Sequence, residues 1–100
     1  MSTLHLDIPH QLTQEEALLR IKNLLGNLKE EQKQIISDAQ EQWDGNTGNF
    51  SFTAKGFDLA GTIQVNASNV EINADLPFAL SFFKGMIGSV ITEKAKALLS

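Results

Sequence analysis

Cysteine and tyrosine are absent from these 100 residues, and histidine and proline occur only twice each. Without thiols there are no disulfides and no thiolate metal sites, so the hydrophobic core must hold the fold by itself. A chain of this length can bury roughly 60–70% of its unfolded surface, which suffices for one core. Clustered positive charge is also missing. The formal net charge is −4, and the eight Lys and Arg residues are scattered between Arg20 and Lys96. Nucleic-acid binding draws on clustered cations that release counterions, so no nucleic-acid partner is expected. Long apolar runs are lacking too. The longest weakly charged stretch, residues 76–92, is interrupted by Lys84. As a helix it would reach about 25 Å, short of the roughly 30 Å hydrocarbon core, so no transmembrane span is expected. The first ten residues have neither a basic start nor an apolar run, so a signal peptide is not expected.

Catalytic signatures are equally scarce. There is no Gly-x-Ser-x-Gly and no phosphate-binding glycine loop. His5 and His10 lie five residues apart across Pro9, a spacing that does not put both on one helix face for metal ligation. They read as exposed or hydrogen-bonded surface residues. Glu15, Glu16, Glu30, Glu31 and Asp44 read as caps or solvated faces. The chain is therefore expected to be non-enzymatic, with no cofactor and no metal.

What is present is periodicity. Leu4, Leu6 and Ile8 alternate with polar neighbours, which predicts a strand ending at Pro9. Thr13 and Glu16 form a capping box, with the Glu16 carboxylate reaching back to the Thr13 amide. Ala17, Ile21, Leu24, Leu25 and Leu28 follow at the spacing of one helix ending between Lys33 and Ser37. Turn signals at Asp44 with Gly45, Thr47 with Gly48, Lys55 with Gly56, and residues 66–69 separate alternating runs. These runs predict an antiparallel meander. Gly61, inside a strand, suggests a bulge that curls the sheet, or a close approach by a helix.

Pro77 suits the first turn of a long final helix. Leu80, Phe83, Ile87, Val90, Ile91 and Leu98 make its apolar stripe, with Phe78, Phe82 and Met86 as a second row. Gly85 and Gly88 suit close packing of this helix on the sheet, or a helix–helix contact between subunits. The expected architecture is one α+β domain over residues 1–100. A curled antiparallel sheet of four to five strands carries two helices on one face, in the order of a reduced helix grip.

The final helix has more apolar surface than one sheet contact needs. A curling sheet covers the surplus, or it forms a contact surface for a hydrophobic surface, a second subunit or an apolar ligand. Phe78, Phe82 and Met86 are the candidate contact residues. Trp43 and Phe50 are candidates to line the same interior.

Several stretches resemble a known family. They are His10 with Thr13 and Ala17, and Trp43, Asp44, Gly45 before Phe50, Ser51, Phe52. Gly56 and the run from Gly61 to Val65 follow, then Leu76, Pro77, Phe78, and lastly Phe82, Phe83, Lys84, Gly85, Met86, Ile87. Over nearly its whole length the chain resembles the small bacterial polyhydroxyalkanoic acid system proteins, which are granule-associated. Residues 46–49 fit the pattern loosely. The resemblance implies a cytoplasmic protein at polyester storage granules, whose partner is the granule surface or a granule protein. It implies no reaction and no site residues. The leading expectation is an accessory protein acting through its apolar helix surface. The alternative is a carrier holding an acyl chain between sheet and helix.

Overall fold

Five alternating segments become five strands. The computed structural model describes residues 2–54 and 56–100. The strands are β1 (Ser2–Pro9), β2 (Ile36–Asp44), β3 (Thr47–Ala54), β4 (Phe57–Val65) and β5 (Asn69–Leu76). They form one antiparallel sheet in the order β1-β5-β4-β3-β2. The last four strands are a meander, and the first returns to lie beside the last. Two-residue connections need positive φ, and Gly45 (φ 63°) supplies it between β2 and β3. Thr47 and Gly48, which carry a turn signal in the sequence, instead open β3. Gly56 (φ 85°) serves the β3–β4 turn, while Lys55, the other residue of that expected turn, lies outside the described residues.

The pleat sends Leu4, Leu59, Ile63, Val65, Ile72 and Leu76, among others, to one face, where they are buried. Polar side chains occupy the other face and pair across strands. Thr47 donates to Gln64, Thr53 to Asp58 at 2.8 Å, and Asn69 to Asp7 at 2.8 Å. The expected α+β fold is what the structure shows, with five antiparallel strands in a sheet that does not close.

Helix formation departs from expectation in two places. The first expected helix is two: α1 (Gln14–Ile21) and α2 (Leu24–Glu31). The break falls at Lys22 and Asn23, where the Asn23 amide bonds back to Arg20 instead of Leu19. Half of the capping box forms. The Thr13 hydroxyl accepts from the Glu16 amide at 3.1 Å, but the Glu16 carboxylate turns to Arg20 at 3.0 Å. The final helix also starts late. Residues Phe78–Phe83 wind as a 3₁₀ segment, and the α-helix α3 runs Lys84–Leu99. Ala17, Ile21, Leu24, Leu25 and Leu28 pack with Ile91, Ala95 and Leu99 into one core with the sheet. Arg20 ties the ends together, donating to the carbonyls of Leu98 at 3.3 Å and Ser100 at 2.8 Å.

Gly61 is not at a bulge. Its strand pairs in unbroken register with Phe50 on one side and Ala74 on the other. A Cβ there would meet the Asn73 carbonyl oxygen, and would lie 2.7 Å from the Phe50 ring and 2.9 Å from the Ala74 Cα. The missing side chain makes room for the Phe50 ring across the sheet. The irregularity lies on β2, between Ser37 and Gln40, where Asp38 has φ 52°.

Candidate functional site

A 3₁₀ segment advances by 120° per residue, against 100° in an α-helix. Six residues of overwinding turn the following helix by about 120° relative to a continuous α-helix. The buried stripe of α3 runs through Gly88, Ile91, Ala95 and Leu99. The expected stripe is displaced by about one residue. Leu80, Ile87, Val90 and Leu98 are half-buried at its margin.

The consequence falls on the segment between β5 and α3. No residue of Phe78–Phe83 is buried. Phe82 is 89% exposed, Phe78 75%, Met86 62% and Phe83 48%. The sheet thus leaves the second row of the final helix uncovered. Phe83, expected in the covered stripe, joins it. Four large apolar side chains stand in solvent within nine consecutive residues. Between Asp75 and Glu93 the only charged residue is Lys84. The segment is apolar and free of carboxylates in a chain whose net charge is negative.

Trp43 and Phe50 do not join this patch. Phe50 is buried over Gly61, its ring stacked on Phe52 at 6.2 Å between centroids. Trp43 lies on β2, at the opposite edge of the sheet from β1. Four strand spacings separate those edges, about 19 Å. Its half-buried indole covers Gly48, its Nε1 donates to Glu41 at 3.3 Å, and the Lys22 ammonium sits 5.8 Å from the ring centre. The ring thus lies beside Lys22 at the α1–α2 junction.

The two histidines have structural roles of different kinds. His5 is exposed and pairs with Asn73 at 2.6 Å across β1 and β5. His10 is buried, contrary to the expectation of a surface residue. Its Nδ1 accepts from the Leu12 amide and its Nε2 donates to the Asn66 carbonyl, both at 3.1 Å. These bonds fasten the β1–α1 connection to the β4–β5 turn. Among the described residues no cluster of three His, Asp or Glu side chains could hold a metal ion. No helix of the described residues is long and apolar enough to cross a membrane.

A groove of about 550 Å³ runs between β1 and α3, open to solvent and lined by Leu4, Leu6, Gly85, Gly88, Ser89 and Thr92, with Lys84 and Glu93 at its ends. Sequence periodicity gave no sign of it, because it depends on how far α3 sits from the sheet edge. Gly88 sets that distance: a Cβ there would lie 3.2 Å from Leu4 and 3.4 Å from Leu6. Close packing on the sheet is thus the role of Gly88, whereas Gly85 faces open space.

No curated protein matches the chain significantly in sequence. A family model does, over residues 4–99, from β1 to the last residue of α3. The match takes in both the exposed segment and the sheet beneath it, and the chain belongs to the family described as "Putative polyhydroxyalkanoic acid system protein".

Proposed function

We propose that this protein is a non-enzymatic accessory of a polyhydroxyalkanoate storage system, and that it binds the granule polyester through Phe78, Phe82, Phe83 and Met86. The exposure of these four side chains in one carboxylate-free segment is the observation that carries this reading. Exposed apolar clusters of this kind mark contact surfaces. The polymer is an uncharged polyester, and a surface bearing Lys84 as its only charge suits it better than the acidic remainder of the chain does. Each aromatic or Met side chain taken out of water contributes roughly 1.5–3 kcal/mol. Two or three together suffice for reversible adsorption. The carrier alternative would draw on the groove of about 550 Å³ between β1 and α3, which is open to solvent instead of enclosed as an acyl-chain pocket is.

The test is co-sedimentation of the purified chain with protein-free polyhydroxyalkanoate particles. Phe82→Glu and Met86→Glu change exposed positions, so circular dichroism should report an intact fold. Each variant is expected to lower particle binding about tenfold or more, the loss of one buried apolar group plus the cost of desolvating a carboxylate. Wild-type protein that ignores bare polymer but binds native granules would place a granule protein in the polymer's stead. Undiminished binding by both folded variants would remove this surface from consideration.

A further inference from the structure

Phe78, Phe82, Phe83 and Met86 are not the only large apolar side chains in solvent. Leu19 is 63% exposed, Ile35 40% and Phe57 38%. These three differ in where the fold puts them. Ile35 immediately precedes β2, whose first residue, Ile36, pairs with Ala54 at the end of β3. Ala54 pairs in turn with Phe57, the first residue of β4. Continued past Ala60 and Asp75, the β4–β5 register brings Phe57 level with Phe78, just after β5 stops at Leu76. Ile35, Phe57 and Phe78 thus share one end of the sheet, across three strand spacings or about 14 Å. Leu19 is elsewhere. Its neighbour Arg20 bonds the carbonyls of Leu98 and Ser100, at the far end of α3 from Met86. The helix rise of about 1.5 Å per residue sets Leu98 about 18 Å from Met86.

Taking the Phe78 to Met86 segment as the polyester contact proposed above, we infer that the contact extends along this sheet end to Phe57 and Ile35. The protein then meets the polymer end-on. The starts of β2 and β4 lie against the surface, and the β2–β3 and β4–β5 connections point away from it. Two residues from other elements join the site, and the molecule gains a defined orientation on the granule.

The shape of this end selects the occupant. None of Ile35, Phe57, Phe78, Phe82, Phe83 and Met86 lines the groove beside β1, or the depression over residues 40–42 and 49–51. They protrude instead of lining a concavity. Small apolar ligands bind in concave pockets, and amphipathic helices in grooves. Protruding apolar side chains spread over about 14 Å suit a broad surface such as solid polymer. The opposite sheet end has the reverse character. Gly45 and Asn46 join β2 to β3 there, and Asn66, Ala67 and Ser68 join β4 to β5. Neither connection holds a large apolar residue. Asp58, beside Phe57, lies on the other side of the pleat, where it accepts from the Thr53 hydroxyl at 2.8 Å.

Co-sedimentation of the full chain with protein-free polyhydroxyalkanoate particles tests it. Ile35→Glu and Phe57→Glu are each expected to lower binding about fivefold or more, by withdrawing an apolar group and turning a carboxylate to the polymer. Leu19→Glu, at a more exposed position than either, should leave binding unchanged. Phe57 is partly covered, so a second measurement guards against a variant that misfolds. The chain has no cysteine, and Ile35→Cys, Phe57→Cys and Leu19→Cys each give it a single thiol. On adsorption, reaction with a charged, water-soluble maleimide should slow several-fold at positions 35 and 57 and stay unchanged at position 19. Unchanged thiol rates at positions 35 and 57 would overturn the extension, as would equal loss of binding in Leu19→Glu. If Phe82→Glu still lowers binding in that case, the Phe78 to Met86 surface stands alone. Undiminished binding in Phe82→Glu and Met86→Glu removes both. A wild-type dimer in sedimentation that Phe57→Glu dissolves would overturn the extension by assigning this end to a second copy.

Discussion

At Gly61 one hydrogen atom in place of a methyl group decides whether three strands can pack. The Phe50 ring crosses this position from the neighbouring strand, and the Ala74 backbone closes it from the other side. Neither neighbour has an easy way to withdraw, because one is a buried aromatic ring and the other is backbone in a paired strand. Gly61→Ala is expected to destabilise the fold by about 2–3 kcal/mol, in the range of overpacked cores. Urea unfolding measures it, and a loss below about 0.5 kcal/mol would mean that the ring moves freely. Phe50→Leu added to Gly61→Ala should recover part of the loss, since the offending ring is then gone. Gly85→Ala makes the contrast. Nothing lies within 4 Å of its added carbon, so little change is expected from the same substitution.

Among the elements, α2 is the least supported by its own sequence. It has eight residues, no side-chain cap at Asn23, and Gly26 in its interior. Isolated helices this short are unstable in water, so α2 exists because Leu24, Leu25 and Leu28 are buried. Gly26 is exposed, and a Cβ there meets nothing within 4 Å. Gly26→Ala should therefore stabilise the protein by about 0.5–1 kcal/mol, raising the melting temperature by about 2–8 °C. A lower melting temperature would show that Gly26 has a role beyond helix propensity. The same helices mark where the sequence was legible and where it was not. Alternation of apolar residues announced the strands, because a half-buried sheet imposes a period of two. The α1–α2 break was hidden, because Ala17, Ile21, Leu24, Leu25 and Leu28 keep helical spacing straight across Lys22 and Asn23. The 3₁₀ winding of residues 78–83 was hidden for a similar reason: apolar spacing of three and four suits both helix types. Phe83 lies outside the buried stripe because that stripe runs through Gly88, Ile91, Ala95 and Leu99, about one residue away from the expected one. Phe78, Phe82 and Met86 were legible as surplus, yet only the finished packing could show that the sheet stops short of them.

For the whole molecule, the surface assigned to granule binding is also the part least anchored to the core. Local opening is cheapest where few apolar contacts hold the backbone. The sheet and the second half of α3 are joined through buried Ile72, Leu76, Ile91, Ala95 and Leu99, and Arg20 and Lys94 tie α3 to α1 and α2, the latter through Glu31 at 2.7 Å. Within the Phe78–Phe83 segment no side chain is fully buried, and Leu80, half-buried, is the apolar one packed against the core. In the free protein its amides should exchange with deuterium well ahead of those in β4, β5 and the Ile91 to Leu99 half of α3. On polyester particles the same amides should become protected, while the central strands keep their rates. Adsorption would then order a segment already positioned between two fixed elements, and the ordering cost would be confined to about six residues. Protection that is already core-like in the free chain would show that exposed aromatic side chains do not imply a loosely held backbone. Protection that appears on β2 instead would move the contact surface to the other edge of the sheet.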